Sequence, residues 1–163
     1  MLIVESGAGD ADAETFVSVA DARTRAGLVG LTLPTVDATL EVLLRRAAEY
    51  IGGYELRMQG TRTTETQALS FPRSGVVIHG TSLADDALPV ALINATVQLA
   101  ADFVANNPYE VGSGREVISE AVGPISTTYA KSGATVLRPV FDAAEKLLAP
   151  LLRAGGAFIF QRV

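Results

Sequence analysis

The chain of 163 residues has no cysteine, no tryptophan and a single histidine, His79. The missing thiols exclude disulfides, thiolate metal sites and a cysteine nucleophile, and they leave the redox compartment open. Positive charge is also scarce: 13 Lys and Arg stand against 18 Asp and Glu, for a net charge of −5, and Lys131 and Lys146 are the only lysines. A free-standing nucleic-acid binder usually has the opposite balance, because phosphate neutralisation supplies most of its affinity. The composition therefore disfavours stable binding to nucleic acid or to an anionic membrane. No apolar run reaches the roughly 18 residues of a membrane span. The opening MLIVESGAGDADAETF lacks the basic start of a signal peptide and turns acidic at Glu5, Asp10, Asp12 and Glu14.

What is present is apolar: 48% of the residues are hydrophobic, enough for one well-buried domain and short for two. Ser18, followed three residues later by Asp21, resembles a capping box and predicts a short helix from Val19 to Ala26 that stops at Gly27. From Val36 to Ile51, Leu40, Leu43, Leu44, Ala47 and Ile51 fall at helical spacing, with Glu41, Arg45 and Glu49 on another face and Gly52-Gly53 as the end. A second long helix is expected from Pro89 to about Ala105, stopped by Asn106, Asn107 and Pro108. Its polar residues Asn94, Gln98 and Asp102 form one line, and a helix so apolar elsewhere has to be covered by several neighbours or by a subunit partner.

EVISEAVGPISTTYA, residues 116–130, reads as a β-hairpin around Gly123-Pro124. A third helix is expected from Pro139, with Phe141, Ala144, Leu148 and Leu151 on one side and Pro150 kinking or ending it. The fold class is thus mainly α: a small helical bundle with a β-hairpin and a long ordered loop excursion. One domain spans 1–154, and 155–163 form an apolar C-terminal tail after Gly155-Gly156. The excursion is residues 53–88, too long for an ordinary connection and too apolar to be disordered.

No catalytic constellation emerges. His79 has Ser74, Asp85 and Asp86 nearby but no nucleophile elbow, and reads as a turn residue before Gly80. Gly7, Gly9 and the glycines at 112 and 114 match neither a Walker pattern nor a dinucleotide fingerprint. Asp85-Asp86 could bind a cation but reads better as a solvated helix approach. No enzyme, metal site or cofactor is expected. Within LSFPRSG, Phe71, Pro72 and Arg73 admit two readings. Phe71 can plug the core while Pro72 fixes the backbone and Gly75 permits a turn, or the three can form a subunit interface, where Phe and Arg are favoured.

The order of MLIVE, FVSVADA, EYIGG, the GTRTTETQALSFPRSG segment, an LP-initiated helix and VGPISTTYA resembles the head-tail connector, or neck adaptor, proteins of tailed bacteriophages. That group also carries the label of DnaT-like single-stranded-DNA-binding proteins. The resemblance covers almost the whole chain and is most specific over Gly60 to Gly75 and Val122 to Ala130. It implies a non-enzymatic virion protein of the neck, assembled in the host cytoplasm. Such a protein forms a homo-oligomeric ring, usually dodecameric, between the portal and the tail or further neck proteins. Genome DNA would pass through its channel without sequence-specific binding, and no membrane is involved. On this reading Phe158, Ile159, Phe160 and Arg162 dock on the portal, or the tail folds back on its own subunit. The alternative is a single-stranded-DNA-binding replication accessory protein, for which Phe71 beside Arg73 and Tyr54 near Arg57 are the candidate stacking pairs.

Overall fold

A computed structural model describes residues 2–106, 119–122, 125–128 and 141–153. The chain divides into two compact units, Met1–Ala105 with Phe141–Val163, and Asn106–Val140.

In the first unit, α1 (Val19–Val29) is capped by Ser18, whose Oγ accepts from the Asp21 N–H at 3.1 Å. The helix runs past Gly27 and ends at Gly30, in the left-handed region with φ 73° and its N–H on the Ala26 carbonyl. Gly27 is therefore interior, and the expected stop there is corrected: Ala22 and Ala26 are buried, and the tertiary contact outweighs the roughly 1 kcal/mol that an interior glycine costs. α2 (Asp37–Gly52) buries Leu40, Leu43, Leu44, Ala47, Ala48 and Ile51, the face its spacing predicts.

α3 (Val90–Ala105) buries Leu92, Ala95, Thr96, Val97, Leu99, Ala100 and Phe103. It packs against α1, α2 and α4 (Asp142–Leu148), so the neighbours demanded by its apolar circumference lie largely within the chain. α4 starts three residues later than Pro139, because Phe141 has a non-helical backbone and is turned into the core. There Phe141, Phe103 and Tyr50 meet edge to face, with centroids 5.1 to 5.8 Å apart, and tie α2, α3 and α4 together. Pro150 lies in a 3₁₀ turn (Ala149–Leu151) that ends the helix.

The excursion is ordered. It consists of a 3₁₀ turn (Glu55–Arg57) and two minimal antiparallel pairs, β1 (Thr61–Arg62) with β2 (Arg73–Ser74) and β3 (Val77–Ile78) with β4 (Thr81–Ser82). His79 and Gly80 join β3 to β4 with φ 51° and 82°; both central residues of this two-residue turn need positive φ, and His79 is exposed. The N-terminal loop is clamped beneath it. Buried Glu5 accepts from the N–H groups of Gly7, Gly9 and Asp10 at 2.8 to 3.0 Å. Gly7 lies so close to the Asp86 carbonyl that a Cβ would stand 1.9 Å from its oxygen.

In the second unit, β5 (Ser119–Val122) and β6 (Ile125–Thr128) pair antiparallel, Ser119 opposite Thr128 and Val122 opposite Ile125. These are the expected hairpin strands. The tail with Phe158, Ile159, Phe160 and Arg162 lies outside the described residues. No described helix is long and apolar enough to cross a membrane.

Candidate functional site

The GTRTTETQALSFPRSG segment folds into a lock. Phe71 is fully buried and follows the plug reading, and Gly75 takes φ 77° at the turn beyond it. The Phe71-Pro72 peptide is cis. Arg73 is 4% exposed and its donors are spent on the chain itself. Nε donates to the Gln59 carbonyl at 2.7 Å, Nη2 to Gly60 at 2.9 Å, and Nη1 to Ser70 at 3.3 Å and to the Glu55 carboxylate at 3.4 Å.

The strand pairing puts Arg62 opposite Arg73, which would repel without a counterion. Glu55 supplies it, taking both Arg62 Nε and Nη2 in a fork. The Arg62 hydrogen bonds, joined by the charge of Arg73, hold the Glu55 carboxyl below its ordinary value, whereas burial pushes the Arg73 guanidinium down. Gln67 is buried and completes the lock: its amide donates to the Leu69 and Pro72 carbonyls and accepts from the Thr64 N–H. Gly60 admits no side chain, since a Cβ would stand 2.1 Å from the Ser74 oxygen.

Sequence reasoning did not find Gln59, Gln67 or Glu5. The only trace of Gln67 in the sequence is a glutamine lying between the two motif arginines, Arg62 and Arg73.

Gln59 carries the lock to the far end of the chain. Its amide donates to the Pro150 and Leu152 carbonyls at 2.9 and 3.3 Å, and its N–H to Leu151 at 2.9 Å. Arg153 then bonds back, its N–H to Arg57 at 2.7 Å and its Nε to Met58 at 2.9 Å. The excursion and the end of α4 are thereby fixed as one edge.

That edge brings together Tyr54, Arg57, Lys146 and Arg153. The Arg57 guanidinium lies over the Tyr54 ring, 5.7 Å from its centroid, and the Tyr54 hydroxyl donates to Glu145 at 2.7 Å. Burial, with Tyr50 and Glu145 adding to it, pushes the Tyr54 phenol far above its ordinary value, so it stays protonated. Arg57, Lys146 and Arg153 are exposed and form no ion pair among the described residues, unlike Arg23, Arg45, Arg62 and Arg73. Of the two candidate stacking pairs, Phe71 with Arg73 is interior and Tyr54 with Arg57 lies at the surface. Phe71, Pro72 and Arg73 thus lie together in the lock, and the polar partners of Arg73 are intramolecular.

No group of three or more His, Asp or Glu that could hold a metal ion occurs among the described residues. No curated protein and no solved structure matches the chain. A family model described as "Putative DnaT-like ssDNA binding protein" matches residues 1–163, its whole length. The chain belongs to this DnaT-like family.

Proposed function

We propose that this chain is a non-enzymatic single-stranded-DNA-binding protein whose contact surface is the Tyr54, Arg57, Lys146 and Arg153 edge. The observation that carries the reading is the meeting, at one surface, of an aromatic-backed guanidinium and two further exposed cations that form no ion pair among the described residues. The family description supports it. Arginine and aromatic faces bind bases of any sequence, and neighbouring cations track the phosphates. With so few cations and a net charge of −5, affinity is modest, with a Kd of about 10 µM at physiological salt, within the range of non-specific binding. A fluorescence anisotropy titration with a labelled single strand tests it. Saturable binding that is lost in an Arg57→Ala, Lys146→Ala double variant supports the reading, and absence of binding even at low salt removes it.

A second reading is the structural adaptor ring between a phage portal and tail. It is favoured by the internal use of Arg23, Arg45, Arg62 and Arg73, which leaves a surface past which duplex DNA can slide, and by exposed Leu28, Val29, Val36 and Leu56, which a ring neighbour could cover. On this reading Phe71, Pro72 and Arg73 would shape a subunit boundary through the excursion they hold, and Phe158, Ile159, Phe160 and Arg162 would dock on the portal. Electron microscopy of the purified protein distinguishes the two: closed rings support the adaptor, and monodisperse single subunits oppose it.

A further inference from the structure

The edge has an open groove of about 320 Å³ between Arg57 and α4, large enough for one nucleotide. Its floor is apolar, from Ala149 and Leu152, and Arg57 and Lys146 line it as cations. Two carboxylates also line it, Asp142 and Glu145, one helical turn apart. A surface that only followed a phosphate backbone gains nothing from carboxylates, which repel it. Glu145 is half-buried, and its Oε1 accepts from the Tyr54 hydroxyl at 2.7 Å. Asp142 is exposed and accepts no hydrogen bond from the described residues.

We infer that this groove reads the base as well as the backbone, preferring a base with an exocyclic amine, cytosine over thymine, through Asp142. The inference rests on the DNA-binding reading above. With a base laid against Arg57 over Leu152, and its phosphate on Lys146, the most exposed acceptor left on the wall is the Asp142 carboxylate, Glu145 being half-buried with one oxygen on Tyr54. An ionised carboxylate only accepts hydrogen bonds. Cytosine presents its N4 amine as a donor at the position where thymine presents the O4 acceptor, so the same carboxylate attracts one and repels the other. The Tyr54 hydroxyl could serve either base, but its proton goes to Glu145 and its oxygen faces the Tyr50 hydroxyl at 3.3 Å. Such a preference is unusual for a stacking site, because stacking and cation contacts by themselves accept every base.

The test compares short oligo-dC and oligo-dT of equal length, at equal salt, on the full chain and on Asp142→Asn. The full chain is expected to bind oligo-dC about fivefold more tightly, the low end of what one base-edge contact discriminates. In Asp142→Asn the amide can donate as well as accept, so the ratio falls to about one while the melting temperature is unchanged. Equal binding of the two oligonucleotides by the full chain, or tighter binding of oligo-dT, overturns the base preference and leaves the DNA-binding reading standing. Retention of the preference in Asp142→Asn overturns the assignment to Asp142. Absence of binding to either strand overturns both the preference and the reading beneath it.

Discussion

Arg73 Nε donates to the Gln59 carbonyl at 2.7 Å, and Gln59 in turn reaches the Pro150 carbonyl at 2.9 Å. Two residues of the excursion thus hold the end of α4, with Pro150 lying 91 residues beyond Gln59 in sequence. The motif segment determines where Arg57 and Arg153 stand, although neither belongs to it.

Replacing Arg73 by Ala strands the Gln59, Gly60 and Ser70 carbonyls and leaves Glu55 with Arg62 alone. We expect a loss of about 3 kcal/mol in urea unfolding, because hydrogen bonds to a buried charged group are among the most costly to remove. Arg73→Lys should restore only part of it, since an ammonium cannot reproduce the guanidinium fork. A loss under about 1 kcal/mol for Arg73→Ala would show that the lock does not hold the fold.

Two glycines make opposite predictions. Gly60→Ala meets the Ser74 carbonyl at 2.1 Å in a backbone with φ 67°, so at least about 2 kcal/mol should be lost. Gly27→Ala lies inside α1 with nothing within 4 Å, and should add about 0.5 to 1 kcal/mol. Thermal melts of the pair check the local geometry of turn and helix independently.

Glu5 binds the N-terminal loop through Gly7, Gly9 and Asp10. Glu5→Gln keeps the shape but sets an amide N–H₂ against backbone donors, and should cost about 2 kcal/mol. Hydrogen exchange of the Gly7, Gly9 and Asp10 amides should accelerate together. Their unchanged protection would contradict the clamp.

Acid should weaken the fold through Glu55 and Glu14. The carboxyls of both lie below their ordinary value, Glu55 first through its hydrogen bonds to Arg62 and Glu14 first through its hydrogen bond to Arg45. A depressed carboxyl contributes stability that is present above its unfolded value and is lost as pH falls through its folded value. Unfolding free energy should therefore decline below about pH 4.5, and the decline should be shallower in Arg62→Ala. Asp102, raised by burial, acts in the opposite sense but equally in both proteins. Parallel acid limbs would argue against the Glu55 pairing.

The helices were legible because their evidence is local. Leu40, Leu43, Leu44, Ala47 and Ile51 form a stripe whatever they pack against, and Ser18 caps a helix with an atom three residues away. Gly80 beside His79 could likewise be read as a turn. Gly27 misled because a glycine is only a weak stop, and the buried Ala26 carried the helix on to Gly30. Gln59, Gln67 and Glu5 were illegible for a different reason: their partners are main-chain groups, which no residue type marks. The edge was half legible. Tyr54 and Arg57 are neighbours in sequence, but Lys146 and Arg153 join them only through the packing of α4 and the bonds of Gln59. The internal character of Phe71 and Arg73 was one of two open readings, and depended on carbonyls at residues 59 and 60 that the sequence does not display.

The most direct test of the central claim is the salt dependence of single-strand binding. If Arg57, Lys146 and Arg153 are the phosphate contacts, log Kd should change with log salt concentration at a slope of about 2, since each phosphate neutralised on a single strand contributes about 0.7. The slope should fall to about 0.7 in the Arg57→Ala, Lys146→Ala double variant, which keeps Arg153 alone. A slope that the double substitution leaves unchanged, or the absence of any salt-dependent binding, would contradict the account.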